Sequence, residues 1–374
     1  MAGLVERKVF VIGAGVVGLT LAKELASKGI DVEVFDSKRS VKDGAAKASG
    51  IFSVSGLGQI GIDPKHTILN TLDGANLYAG KEKLRIKSKK IMAYVTDRGM
   101  LAELCKDVAE KAGAKVTLGR KFERKELADL AKDKNNIIVG ADGAVSTVAA
   151  AFSFPKINEY ILTYKAEFDK AKIEDHHMVG LFFSNEIAYR FFGWSCPYSE
   201  DRVEIGIGVS DRAKMTSTAA FTKFRKDRML HEMLDGSRMV NGYASIIPLT
   251  TRSISVKDNV ALVGDAAGQV KATTGGGIIF GCSCARILAD TIKKNMKTGM
   301  ALRSYDREWR KRYGLDLTMH RFLHNYYSNL RINNFEVFLK FSKILGAERF
   351  FSEYGDMDRP SLMLKRFFLR GLAK

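Results

Sequence analysis

The hydrophobic pattern changes period twice within the first 36 residues. Lys8-Val9-Phe10-Val11-Ile12 is a short apolar run that reads as a buried strand. Val16 to Lys28 then places apolar residues at helical spacing until Gly29 stops it, and residues 31 to 35 return to a strand pattern. The N-terminal end therefore predicts a β-α-β unit. From about residue 44 to 95, short alternating runs among Gly, Ser and Lys predict loops and strands rather than helices. Gly99 to Ala112 has an amphipathic helical pattern ended by Gly113, Lys115 to Leu118 reads as a strand, and Asn136 to Val139 is another that runs into Gly140. Between 156 and 256 lie several β-rich runs separated by charged turns, among them Glu186 to Phe192 and Arg202 to Val209, which predict a separate antiparallel sheet. Residues 259 to 263 form a further apolar strand before Gly264, Gly277 to Lys293 predicts a long helix, and the rest reads as mostly helical and polar.

These elements predict an α/β fold, α+β overall: a Rossmann-like dinucleotide domain with an inserted antiparallel β-sheet domain and a helical C-terminal region. The expected boundaries are 1–155 with 257–298 for the first, 156–256 for the second and 299–374 for the third. A length of 374 residues suits two or three lobes, and 46% hydrophobic with 27% charged residues is the balance of a folded chain. A net charge of +18 adds a long-range field that attracts nucleic acid, anionic lipid or phosphorylated substrates without choosing among them. Cys105, Cys196, Cys282 and Cys284 have neither framework nor zinc spacing, and no signal segment follows Met1, so a reduced, cytoplasmic setting is expected. Apolar runs are all shorter than the roughly 20 residues a membrane span needs, which leaves only peripheral contact.

Gly13-Ala14-Gly15-Val16-Val17-Gly18 sits between the first strand and its helix. Its glycines allow a tight turn, close approach to a pyrophosphate and close helix packing, while the helix N-terminus favours phosphate. Asp36 ends the second strand about 20 residues on, where a carboxylate accepts hydrogen bonds from a ribose. Two more strand ends carry an acid: Gly140-Ala141-Asp142-Gly143 and Gly264-Asp265-Ala266-Ala267. Gly275, Gly276 and Gly277 follow, ahead of Ile278 and the long helix.

The two acidic segments resemble the Asp-Gly and Gly-Asp fingerprints of flavoproteins related to aromatic hydroxylases. That resemblance implies FAD, with Asp265 on its ribityl and pyrophosphate part and Gly276, Gly277 and Ile278 beside the ring, where a helix dipole stabilises negative charge. It also implies that Arg98 faces FAD; a solvated surface arginine is the alternative. Within that superfamily the chain resembles the archaeal geranylgeranyl reductases over nearly its whole length. The segments that carry this are Tyr94-Val95-Thr96-Asp97-Arg98, Gly264 to Ile278, and Phe192-Gly193-Trp194-Ser195-Cys196-Pro197 before a Val-Glu-Ile-Gly-Ile-Gly strand. The last looks like the family's Tyr-x-Trp-x-Phe-Pro substrate motif, with Trp194 and Pro197 matching it and Phe192 and Cys196 departing from it. Lys47-Ala48-Ser49-Gly50 looks like the family's flavin-side loop, with Ser49 and Gly50 retained and Ala48 where a cysteine is common. Lys271-Ala272 replaces an Asp-Pro pair.

The resemblance implies saturation of isoprenoid double bonds of archaeal ether lipids; the external reductant is left open among NADPH, a ferredoxin and reduced deazaflavin. Phe192, Trp194 and Pro197 would line the polyprenyl chain; the alternative is that Phe191, Phe192 and Trp194 are core residues of a sheet. An unconjugated alkene needs a proton to lead or accompany hydride transfer; Cys196, Tyr198 and water are the candidate donors. Cys282 and Cys284, two apart on a helix, point to different faces and read as packing residues rather than a redox pair. Two rivals remain: a flavin monooxygenase or halogenase of the same fold, and a basic flavoprotein acting on nucleic acid, against which stands the lack of an RNA-binding module. At the C-terminus, Arg366, Arg370 and Lys374 recur every four residues, with Leu364, Phe368 and Leu372 on the opposite face. Such a helix can rest on an anionic bilayer or pack on its own domain.

Overall fold

The computed structural model describes residues 7–299, 301–363 and 365, and they fold as two compact units. One gathers the residues up to Ala46 with Arg98–Asn158 and Pro248–Leu317; the other gathers Lys47–Asp97, Glu159–Ile247 and the residues from Thr318 onward.

The first unit is built on a six-stranded sheet in the order Val256–Lys257, Val260–Leu262, Asn136–Gly140, Lys8–Ile12, Val32–Asp36, Lys115–Leu118. Every neighbour is parallel except the short hairpin made by the first two. Parallel strands need covered crossovers, and Val9, Val11, Val32, Val34, Ile138 and Val139 are accordingly sealed from solvent. Helix Val16–Ala26 packs against both Arg98–Lys111 and Ile278–Thr298. The predicted β-α-β unit is present, and its helix ends where Gly29 adopts a φ of +76°.

The second unit holds a seven-stranded sheet ordered Arg238–Pro248, Tyr160–Asp169, Val203–Ser210, Gly193–Pro197, Met178–Phe182, Gly74–Ala79, Glu82–Lys87. Met178–Phe182 and Gly74–Ala79 run parallel, so the sheet is mixed rather than wholly antiparallel. A second, three-stranded sheet is made of Ile51–Ser53, Ala93–Thr96 and Ile68–Leu72. All eight residues of Val203–Ser210 are buried, and its glycines make room for rings: a Cβ on Gly206 would fall inside the Trp194 indole, and one on Gly208 on Phe191.

Three expectations change. Glu186 to Phe192 is a turn, not a strand, because Asn185 Oδ1 accepts the Arg190 N–H at 2.9 Å and the Phe191 N–H bonds back to Ala188 O; the strand begins at Gly193. The region from 44 to 95 contains a helix, Val54–Ile60, capped by Ser53 Oγ on the Gly56 N–H and stopped by Gly61. The C-terminal part is helical as expected, in Ser304–Ser328, Ile332–Ile344 and Ala347–Tyr354, but its outward face is rich in apolar residues rather than polar. The basic pattern formed by Leu364, Arg366, Phe368, Arg370, Leu372 and Lys374 lies outside the described residues. Among the described residues no helix is long and apolar enough to cross a membrane.

Candidate cofactor and substrate sites

The glycines of the first turn have three different reasons to be glycine. Gly13 sits at φ +112°, and a Cβ there would collide with the carbonyl of Ala141. A Cβ on Gly18 would meet the Gly13 carbonyl, so this glycine lets the helix approach the turn. Gly15 has ordinary dihedrals and open space where its side chain would be, at the uncapped N-terminus of Val16–Ala26. Of the three, only Gly15 is not required by the chain's own packing. Asp36 holds the same turn: its Oδ2 accepts the Ala14 N–H and its Oδ1 the Lys38 N–H, both at 2.9 Å, leaving further lone pairs on each oxygen.

The two later acids differ. Asp142 is turned onto the start of the short helix Thr147–Ala151 that follows it, accepting from Ser146 Oγ at 2.6 Å and from the Val148 N–H at 3.1 Å. Burial raises its carboxyl pKa against those hydrogen bonds. It fixes the turn. Asp265 lies against Gly277, where a Cβ would strike its Oδ1, and burial pushes its carboxyl up to about 6 against the pull of the Arg98 guanidinium. Arg98 opens the helix Arg98–Lys111, and its charge also lowers the Cys282 thiol that burial raises to about 12. Gly275 has a φ of +76° in a turn closed on Lys271, whose buried side chain runs along Gly276. No side chain caps the helix that starts at Ile278 after Gly277. The structure thus brings Arg98, Asp265, Gly276, Gly277 and Ile278 together, and separately Gly13, Ala14, Gly15, Gly18 and Asp36.

Ser49 and Gly50 have partners within the second unit. A Cβ on Gly50 would fall on the Thr96 carbonyl, and its own carbonyl accepts the Thr96 N–H at 2.9 Å. Ser49 Oγ donates to Glu204 Oε1. Glu204 is the centre of the second unit's polar chemistry, and sequence reasoning passed over it. Trp194 Nε1 donates to its Oε1 at 2.7 Å, while Tyr198 Oη and Lys165 Nζ each reach Oε2 at 2.7 Å. Both members of the Lys165–Glu204 pair are buried, and Lys165 also donates to the Ala48 carbonyl at 3.1 Å. Burial opposes ionisation of Glu204, but the Lys165 charge and the hydrogen bonds from Lys165, Ser49 and Trp194 together hold it below the usual carboxylate range. One signal was readable: Glu204 is the single charge in Val-Glu-Ile-Gly-Ile-Gly-Val-Ser, a strand otherwise apolar enough to be buried throughout, where an ion needs a partner.

Cys196 and Tyr198 both hold their protons, since burial first and then the Glu204 charge raise each of them. The Tyr198 hydroxyl is joined to the Glu204 network; Cys196 Sγ reaches only the neighbouring Pro197 carbonyl, at 4.0 Å. Phe192 and Trp194 are buried in a run of rings: Phe191 stacks on Phe192 at 4.3 Å between centroids, and Phe192 meets Trp194 at 6.2 Å. Pro197 ends the strand, its carbonyl accepting from Asn70 Nδ2 at 3.0 Å. Cys282 and Cys284 are buried free thiols, as expected of packing residues. Among the described residues no cluster of His, Cys, Asp and Glu could hold a metal ion.

A digeranylgeranylglycerophospholipid reductase of Methanothrix thermoacetophila is 27% identical over 351 residues, covering 86% of this chain and 88% of that one. The crystal structure of a geranylgeranyl bacteriochlorophyll reductase-like protein from Thermoplasma acidophilum superposes with a TM-score of 0.80 at 18% identity, covering 96% of this chain and 95% of that one. A flavin-dependent brominase shares the fold at a TM-score of 0.72 and 13% identity, covering 98% of this chain and all of that one. These likenesses bear out the expected Rossmann-like α/β architecture and the resemblance to geranylgeranyl reductases. The profile described as lycopene cyclase protein matches residues 8–373, and the chain belongs to that family.

Proposed function

We propose that this chain is an FAD-dependent reductase that saturates isoprenoid double bonds, with the geranylgeranyl chains of archaeal-type ether lipids as its substrate class. The observation that carries the reading is the relationship, over 86% of the chain, to a reductase named for such a lipid. The first unit's residues fit FAD on independent grounds. Gly15 leaves open space at an uncapped helix start, Asp36 keeps acceptor capacity beside it, and a second uncapped helix start lies at Gly277 next to Asp265 and Arg98.

FAD, when bound, supplies hydride to carbon. The protein's part is to bind, orient and manage protons. The free amides at the start of helix Val16–Ala26 would hold the pyrophosphate, beside an Ala14 N–H that is already given to Asp36, and Asp36 would accept from a ribose. The helix start after Gly277 and the Arg98 charge would favour negative charge on a ring held there. In the second unit, Phe192 and Trp194 are buried against their own neighbours, so a substrate with few polar handles would meet their apolar surface only where that packing opens. Of the two candidate donors Tyr198 is the one joined through Glu204 to the Lys165 ammonium, from which a lost proton would be replaced, but burial and the Glu204 charge that its hydroxyl faces make it a weak acid, as they do Cys196. Peripheral contact with an anionic membrane belongs to the same reading, as does an external electron donor.

The test is anaerobic. Purified protein carrying reduced flavin is mixed with digeranylgeranylglycerophospholipid, and flavin reoxidation is followed alongside the lipid's mass. Gain of two hydrogens per double bond, in step with reoxidation, is expected. Flavin that stays reduced, under conditions where a working reductase turns over, contradicts the proposal.

A further inference from the structure

We propose that the outward face shared by helices Ser304–Ser328 and Ile332–Ile344 is a docking surface for an anionic lipid bilayer. The inference deepens the membrane contact of the proposed function by naming the surface that makes it, and it is argued from that surface. Helix Ile332–Ile344 is apolar on two sides. Phe335 and Leu339 pack inward on the hairpin Gly74–Ala79/Glu82–Lys87, in a cluster with Ala79 and Leu84. About 180–240° around the helix from Phe335 lie Val337, Phe341 and Ile344, all exposed. Phe341 is 59% exposed, Ile344 71% and the following Leu345 82%. A helix apolar all round is ordinarily enclosed, and packing against its own sheet accounts for only one of these sides.

The neighbouring helix extends the surface. Phe322 is 69% exposed, with Leu323 and Tyr326 also exposed, and the Tyr326 ring meets the Phe338 ring edge-on at 6.2 Å. That contact joins the outward sides of the two helices into one apolar face. Patches of this kind mark interaction sites.

Charge selects the occupant. Between residues 331 and 352 the acids are Glu336 and Glu348, and both are turned onto the edge hairpin: Glu336 Oε1 accepts the Lys81 N–H at 2.8 Å and Glu348 Oε1 the Arg85 N–H at 3.3 Å. Of the basic residues of the same stretch, Lys343 reaches Glu82 of the hairpin at 3.9 Å, whereas Arg331, Lys340 and Arg349 are exposed. Aromatic and aliphatic side chains ringed by outward cations, with the anions folded inward, match the headgroup boundary of an acidic bilayer. The net charge of +18 steers the whole chain the same way.

The experiment uses the full chain and vesicles of phosphatidylcholine alone or mixed in equal parts with phosphatidylglycerol. Co-sedimentation with the acidic vesicles, weakened by salt, is expected. The double variant Phe341→Ser/Ile344→Ser should lower the partition coefficient about tenfold or more, with its thermal melt unchanged because both side chains face solvent. Lys340→Glu/Arg349→Glu should abolish the preference for acidic vesicles. A double variant that binds as well as the parent, with residues 361–374 present, overturns the proposal, because binding then lies elsewhere. So does light scattering that shows a dimer which Phe341→Ser/Ile344→Ser dissociates, since a second copy then covers the face. Reductase activity on detergent-dispersed lipid is read separately and bears only on the catalytic reading.

Discussion

At the scale of single residues, the glycine turn separates folding from binding. Gly15→Ala meets no neighbouring atom and needs no unusual backbone, so stability should stay within about 0.5 kcal/mol of the parent while flavin content falls. Gly13→Ala must adopt a φ near +112° against the Ala141 carbonyl, and should lose stability and flavin together. Urea unfolding and the absorbance of bound flavin, measured on both, distinguish the two roles. Glu204→Gln leaves Lys165 buried without its counter-charge and should cost about 3–5 kcal/mol, read by the same unfolding curves. Because the folded Glu204 carboxyl sits below its ordinary 4.5, its stabilisation is present above that pH and is lost as pH falls through the folded value. His324 acts in a higher window. Burial pulls it down to about 4, while the unfolded ring takes a proton near 6.5, so stability should fall between 6.5 and 4 by about 2–3 kcal/mol and then level off. In His324→Gln that part of the pH–stability curve should flatten, whereas the limb due to Glu204 should remain.

At the scale of elements, the strand Val203–Ser210 sets the geometry of the aromatic segment. Gly206 is the floor on which the Trp194 indole lies, and Trp194 in turn donates to Glu204 from the same strand. Gly206→Ala should displace the ring and destabilise by about 1–3 kcal/mol, with a change in Trp fluorescence that marks the lost packing. Much of this architecture was legible beforehand. Lys8–Ile12, Val32–Asp36, Lys115–Leu118 and Asn136–Gly140 announce themselves as apolar runs beside glycine because a parallel sheet buries both faces. Glu186 to Phe192 misled because its alternation is a property of side chains, whereas its turn is imposed by the amide of Asn185 on the Arg190 backbone. Helix Val54–Ile60 was missed because two glycines dilute its pattern and only the Ser53 cap declares it. Within the sites, the glycines and Asp36 were readable from spacing. The capping role of Asp142 and the convergence of Ser49, Lys165, Trp194 and Tyr198 on Glu204 were not, since those partners come from distant segments.

At the scale of the whole molecule, the chain divides its tasks between two units. The first carries the glycine turns, the uncapped helices and the acids suited to a dinucleotide; the second carries the buried ion pair, the aromatic segment and an apolar outward face. A strongly basic charge, which by itself suits nucleic acid as well as lipid, is accompanied by exposed Phe, Ile and Leu, which suit lipid better. The fold alone also accommodates halogenation, as the brominase likeness makes plain, so the chemistry must be read from the reaction. Rapid oxygen consumption with functionalisation of a small aromatic would mark that rival. The most direct measurement is the anaerobic mixing of flavin-reduced protein with digeranylgeranylglycerophospholipid, followed by flavin absorbance and lipid mass. Reoxidation matched by lipid saturation is the result predicted; flavin that remains reduced while the lipid stays unsaturated would contradict the account.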